Sequence, residues 1–157
     1  MRVGQGFDIH AFSADEARPL MLGLIEIPGH RGLEGHSDAD VATHAVIDAM
    51  LGAVGAGDIG ELFSDNDPSI KNIASRDMLL KALDVVEQRG FQLVNVDLTV
   101  VAEVPRLGPH KTAMAQSLSQ LVGCDVSVKA TTMEGLGPIG AKNAIAAMAV
   151  CLVEEKS

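Results

Sequence analysis

Apolar positions along this chain recur with two different periods, and the switches between them divide it into elements. Arg2 to His10 (RVGQGFDIH) and Pro19 to Pro28 (PLMLGLIEIP) each read as a short strand, and together they predict an N-terminal hairpin. Gly4 and Gly6 permit close backbone approach in the first of them. Ser37 followed by Asp40 resembles a capping box, after which Val41, Ala42, Ala45, Val46, Ala49 and Met50 keep helical spacing until Gly52, Gly55 and Gly57. From Asp58 to Ala74 the chain is polar, turn-rich and aperiodic, which predicts a functional or mobile loop. A second helix is predicted from Ser75 to Arg89, stopped by Gly90. There follow a strand from Phe91 to about Val104, a helix opening near Pro109 and a strand from Asp125 to Thr131. Ala144 to Val153 is rich in alanine, but its length, the Gly-rich run before it and the closing Val-Cys-Leu-Val make it a final strand. The order ββααβαββ has no repeat and no linker. It implies an α+β fold, a mixed β-sheet covered by helices on one face.

Composition narrows the function. A length of 157 residues suits one domain, taken here as residues 1–157. The net charge of −9 repels nucleic acid and anionic lipid. With no Trp or Tyr and four Phe, no row of stacking platforms for bases can be built. Cys124 and Cys151 are isolated and lack metal spacing, as expected of reduced core thiols. The longest apolar run, Ala144 to Val153, is well short of the roughly 20 residues of a membrane span, and the N-terminus has no apolar leader pattern. A cytoplasmic protein is the expectation.

Four constellations carry candidate chemistry. The first combines Asp8 and His10 with His36, Ser37, Asp40 and His44. On a strand, residues two apart share a face, so Asp8 and His10 can grip one ion; on a helix, Asp40 and His44 are one turn apart. Imidazole nitrogen and carboxylate oxygen suit zinc, whose catalytic sites keep three protein ligands and one open position. A surface pair at a strand end and an ordinary helical ion pair are the competing reading. His36, just before the helix, is placed to face an anion near the free N–H groups of the first turn, or simply to meet water. The second is the loop Asp58 to Asp67, whose carboxylates, with Gly60 and Ser64, suit the hydroxyls of a polyol as well as they suit solvent. The third is Lys129 to Gly137, where Thr131, Thr132 and Glu134 can hold a phosphate with a hard cation such as magnesium, or be plain sheet composition. The fourth is Ala102 to Pro109, where two prolines leave backbone groups off the ladder to read a small base, or form an ordinary exit loop.

Together GFDIHAF, HSDADVATH, GDIGELFSDNDP, SRDML, the NVD strand, PRLGPH and VKATTMEGLG stand in the order and spacing of the 2-C-methyl-D-erythritol 2,4-cyclodiphosphate synthase family. The resemblance spans almost the whole chain. It implies an enzyme of the non-mevalonate isoprenoid pathway, a cyclising phosphorus–oxygen lyase. The reaction turns 4-diphosphocytidyl-2-C-methyl-D-erythritol 2-phosphate into the cyclic diphosphate and releases CMP. It implies a ligand set of Asp8, His10 and His44 for one zinc, or another divalent transition metal, per subunit, with Asp40 left as a supporting or helix-capping carboxylate. His36 with Ser37, and Thr132, match the positions that stabilise the transition state. Glu134 matches the ligand of a magnesium or manganese ion that accompanies the diphosphate. Asp58, Ile59 and Gly60, then Phe63, Ser64, Asp65, Asn66 and Asp67, match the methylerythritol pocket. Ala102, Pro105, Arg106, Leu107 and Gly108, with Thr131, Thr132 and Met133, match the cytidine and diphosphate pocket.

The resemblance further implies a homotrimer, its sheets around the three-fold axis and its active sites between subunits. The family's Gly-Arg-Gly-Glu-Gly stretch is Gly140-Ala141-Lys142-Asn143-Ala144 here, and the common aromatic or aliphatic residue ahead of it is Pro138. An arginine tied to phosphate binding is therefore absent, and Lys142 offers charge without a bidentate fork. The usual Gly-Gly of the second strand is Gly23-Leu24. A divalent-metal phosphohydrolase and a non-catalytic metal- or nucleotide-binding trimer are the alternatives. The acidic balance agrees with metal dependence, since divalent ions at the phosphates outweigh a diffuse surface charge screened over about 8 Å.

Overall fold

The computed structural model of the chain describes residues 1–63 and 73–156. The strands are β1 (Arg2–Ala11), β2 (Pro19–Leu22), β3 (Ile25–Arg31), β4 (Phe91–Val101), β5 (Asp125–Thr131) and β6 (Ala144–Glu155). The helices are α1 (Val41–Ala53), α2 (Ile59–Leu62), α3 (Ser75–Gln88), α4 (Lys111–Val122) and α5 (Gly137–Gly140). Four strands form a mixed sheet in the order β1-β6-β4-β5, parallel only between β4 and β5, which α4 connects.

The expected N-terminal hairpin does not form. Strand β1 pairs with β6 along its whole length, from Arg2 opposite Val153 to Ala11 opposite Ala144. The hairpin lies instead inside the segment read as one strand, because Gly23 and Leu24 both take positive φ, 60° and 66°, and turn β2 back onto β3. Two adjacent left-handed residues are what a two-residue hairpin turn requires. The strand count before α1 is therefore three. The Asp58–Ala74 stretch is also less uniform than its composition suggests, since α2 forms at its start with Asp58 as N-cap.

Two glycines decide where α1 sits. The even-numbered residues of β1 face the helices. A Cβ on Gly4 would lie 1.8 Å from the Ala49 carbonyl oxygen, and one on Gly6 would lie 2.0 Å from that of Ala45. The helix backbone therefore rests directly on the strand, along a seam that uses Ala45, Ala49 and Ala53 because nothing larger fits. Of the thirteen residues of α1, only Asp48 and Gly52 escape full burial. Helix α3 packs on α1, and α4 lies over β5.

The opposite face of the sheet carries none of the long helices. Cross-strand rows there read Gln5–Val150–Asp97–Ser127, Phe7–Met148–Thr99–Lys129 and Ile9–Ala146–Val101–Thr131. Phe7, Ile9, Met148 and Val150 are 44–52% exposed, and among the described residues the single turn α5 packs on this face, placing Ile139 in a small cluster with Val101, Ala144 and Ala146.

Candidate active site

The glycine seam brings His44 of α1 over Asp8 and His10 of β1. Asp8 Oδ2 lies 2.9 Å from His10 Nε2 and 3.0 Å from His44 Nδ1. The two ring nitrogens are 3.3 Å apart. His10 Nδ1 is 2.6 Å from the Glu34 carbonyl oxygen. A carbonyl only accepts, so Nδ1 carries the hydrogen and the Nε2 lone pair of the neutral ring points at Asp8. With the ring neutral, acceptors converge on one point, which positive charge must fill, either as a ring proton or as a metal ion.

The local electrostatics agree. Burial works against charge at Asp8, yet the hydrogen bonds and charges of His10 and His44 outweigh it and hold the carboxyl far below its ordinary value. Burial likewise opposes charge at His10, yet Asp8 and the Glu34 carbonyl raise that ring above its ordinary value. Ligand atoms on a tetrahedral zinc with bonds of about 2.0–2.1 Å stand about 3.3 Å apart, close to the spacings found here. The group can hold a divalent metal.

Asp40 is not part of it. The N-cap of α1 is Asp40 rather than Ser37: its carboxylate accepts from Thr43 N at 3.0 Å and from the Thr43 hydroxyl at 2.7 Å. It also accepts from Gly23 N at 2.8 Å and Leu24 N at 2.7 Å, which ties the β2–β3 turn to the helix. Ser37 Oγ accepts from Ala39 N and lies 3.3 Å from His44 Nε2, while Arg18 donates to the Ser37 carbonyl.

A cavity of about 270 Å³ opens over the three ligand atoms. His36 and Ser37 stand on one side, and Ile59, Gly60 and Phe63 on the other, with Ile73 and Met78 completing the wall. Asp48 Oδ1 accepts from Ile59 N at 2.8 Å and so fixes α2 to α1. Burial, reinforced by Asp58 and Asp8, raises the Asp48 carboxyl above its ordinary value despite that bond. Ser64, Asp65, Asn66 and Asp67 lie outside the described residues.

The remaining predicted residues are elsewhere. Thr131, Thr132, Met133 and Glu134 are exposed at the end of β5. The Glu103 carboxylate accepts from Met133 N at 2.9 Å and Gly135 N at 3.2 Å, which joins their turn to the Ala102–Gly108 segment after β4. That segment contains Pro105, behind a cis bond, together with Arg106 and Leu107. Lys142 shares a shallow hollow of about 170 Å³ with Phe12, His30, Arg31 and Val104. None of these residues lines the first cavity. Thr131 stands in the same cross-strand row as Ile9, but β5 and β1 are opposite edges of the sheet, three strand spacings or about 14 Å apart.

Spacing alone did not reveal the polar groups behind the histidines. Ser75 Oγ is 3.0 Å from His44 Nε2, and Asp38 Oδ2 accepts from Ser75 N at 3.0 Å. The one signal was a polar residue opening a helix within SRDML.

The chain was compared with known proteins. The YgbB family model matches residues 1–154. The 2-C-methyl-D-erythritol 2,4-cyclodiphosphate synthase of Haemophilus ducreyi is 46% identical over 160 residues, covering 100% of this chain and 99% of that one. The bifunctional IspDF of Campylobacter jejuni superposes with a TM-score of 0.93 at 41% identity, over 99% of this chain and 42% of that longer one. A CDP-bound form of 2C-methyl-D-erythritol-2,4-cyclodiphosphate synthase superposes with a TM-score of 0.88 at 40% identity, over 98% of this chain and 100% of that one. The chain belongs to the YgbB family, that of the 2-C-methyl-D-erythritol 2,4-cyclodiphosphate synthases.

Proposed function

We propose that the chain, as one domain in the cytoplasm, converts 4-diphosphocytidyl-2-C-methyl-D-erythritol 2-phosphate into 2-C-methyl-D-erythritol 2,4-cyclodiphosphate and CMP. The observation that carries this is the convergence of Asp8 Oδ2, His10 Nε2 and His44 Nδ1 beneath a cavity of about 270 Å³ in a chain of this family. Those three residues would hold the transition metal, which the family resemblance implies is zinc. When bound there, the ion is a Lewis acid toward the β-phosphate. A substrate 2-phosphate oxygen attacks the β-phosphorus, the bond from that phosphorus to the α–β bridging oxygen breaks, and CMP leaves with that oxygen. Folding the substrate so that its own phosphate lies in line spares a bimolecular encounter, a saving of roughly 7–11 kcal/mol when well aligned.

The protein's own groups position and stabilise. His36 and Ser37 at the cavity rim, and Thr132, donate hydrogen bonds to phosphate oxygens as charge redistributes. Glu134 holds the magnesium or manganese ion that accompanies the diphosphate. Asp58, Ile59, Gly60 and Phe63, with residues 64–67, take the methylerythritol. Ala102–Gly108 and Thr131–Met133 take the cytidine and diphosphate, and Lys142 adds positive charge. No protein nucleophile is required: burial pushes the Cys124 and Cys151 thiols up to about 11, so both stay protonated.

The two halves of this site lie on opposite edges of one sheet, which supports completion of each site by a neighbouring copy, and the family resemblance implies that the active unit is a homotrimer. Three copies packed head to tail through their apolar sheet faces set the β1 edge of one against the β5 edge of the next, a heterologous contact that closes as a ring. The test is CMP release by the purified chain with and without chelator, beside His44→Ala. Turnover that survives both would overturn the mechanism. Cyclic diphosphate in the ³¹P NMR spectrum is expected, whereas an uncyclised phosphomonoester would mean a phosphohydrolase.

A further inference from the structure

We infer that Ser75 and Asp38 are positioning residues that determine which nitrogen of His44 faces the metal. This rests on the assignment of His44 as a ligand and concerns the side of the ring turned away from the cavity. Ser75 is fully buried where α3 begins. Its hydroxyl donates to Asp38 Oδ1, its backbone N–H donates to Asp38 Oδ2 at 3.0 Å, and its Oγ stands 3.0 Å from His44 Nε2.

Counting hydrogens fixes the direction of this chain. An ionised carboxylate only accepts, so the single hydroxyl hydrogen of Ser75 is committed to Asp38. The Ser75 oxygen then has only lone pairs for His44. Between Ser75 and the ring only a hydrogen can bridge the 3.0 Å contact, so Nε2 of His44 carries the ring hydrogen and donates it to Ser75, whereas the equally short contact of Nδ1 with Asp8 lies in the ligand cluster, where a metal ion would bridge it. The Nδ1 lone pair is thereby left facing Asp8 and His10, 3.0 Å and 3.3 Å away, as a metal ligand needs. Ser37 Oγ, at 3.3 Å from Nε2, lies farther off than Ser75. Because Asp38 precedes α1 and Ser75 opens α3, the same contacts set the ring against both helices. A histidine bound to a metal without such a partner must also pay for the tautomer and ring rotation it would otherwise sample.

Asp38→Asn separates this role from mere packing, because it keeps shape and can still accept from the Ser75 N–H. Its amide NH₂ now faces Ser75 Oγ, however, which turns the Ser75 hydrogen toward His44 Nε2 and moves the ring hydrogen to Nδ1, inside the metal site. The full chain carrying Asp38→Asn, Ser75→Ala, Ser75→Thr or His44→Ala is stripped of metal. Each is titrated with zinc against a competing chelator, and the His44 tautomer of the metal-free protein is read by ¹⁵N NMR. Asp38→Asn and Ser75→Ala are expected to lose about 10–100-fold in zinc affinity and to shift His44 toward the Nδ1–H form. Ser75→Thr is expected to restore both within a few-fold. Wild-type affinity and an unchanged tautomer in Asp38→Asn would overturn the inference, even if Ser75→Ala failed to fold. Zinc retained by His44→Ala would overturn the ligand assignment instead.

Discussion

Gly6→Ala is the substitution whose effect the structure determines most directly. The new methyl carbon would lie 2.0 Å from the Ala45 carbonyl oxygen and 2.7 Å from Ala49 N, whereas real Cβ contacts essentially never fall below 3.0 Å. Both obstacles are backbone, so no side chain can swing aside and α1 must retreat by at least 1.0 Å. His44 precedes Ala45 in the chain and rides on the same turn. Its Nδ1, now 3.0 Å from Asp8 Oδ2, would stand about 4 Å away, against a tolerance of about 0.2 Å on a metal–ligand bond. Overpacking of this kind costs roughly 1–3 kcal/mol. Urea unfolding of the metal-free protein should show a loss of that order, and zinc content after gel filtration should fall well below one per subunit. Gly52→Ala, on the exposed side of the same helix with only Gln5 O at 3.9 Å, is the control. It should be neutral or stabilise by up to about 1 kcal/mol through helix propensity. A Gly6→Ala protein with wild-type stability and a full complement of zinc would refute the reasoning.

Asp40→Ala removes a fully buried acceptor of four hydrogen bonds. It should cost about 3 kcal/mol or more in chemical denaturation, since the turn and helix donors are left unpaired. Asp48 has a folded-state value above its ordinary 3.8, so the folded protein binds its proton more tightly and stability falls as pH rises through that interval. Asp48→Asn, which keeps an acceptor for Ile59 N, should therefore gain stability relative to wild type from about pH 4 upward in melting experiments; parallel pH profiles would disprove it. Met148→Glu places a charge at the centre of the exposed apolar sheet face. On the proposed trimer, light scattering should give the mass of three chains for the wild type and of one chain for this variant, with loss of CMP release while circular dichroism stays unchanged.

What the sequence disclosed follows from range. Local signals identified α1, α3, β5 and β6, the last from its length, the Gly-rich run before it and its closing Val-Cys-Leu-Val; in the structure its alternation buries Ile145, Ala147, Ala149, Cys151 and Val153. Period two also put Asp8 and His10 on one face. Periodicity recognises a strand without naming its partner, and for that reason β1 was paired with its neighbour in sequence rather than with β6. Nor does it resolve a tight turn within an apolar run, as at Gly23-Leu24. The choice of His44 over Asp40 as a ligand came from the family resemblance; in the structure, the competing acceptors of the β2–β3 turn account for it physically. Ser75 lies 31 residues from the histidine it touches, a distance that no spacing rule covers.

The pairing of β1 has a consequence for the order in which the site can assemble. Strand β1 carries Asp8 and His10 at the edge of the main sheet, and among the described residues its only partner in that sheet is β6, which follows every other described strand in the chain. A nascent chain halted before Ala144 already contains Asp8, His10 and His44, but the strand bearing two of them lacks its neighbour in the sheet. The alignment of Asp8 and His10 beneath His44 therefore depends on the pairing of β1 with β6, strands from opposite ends of the chain.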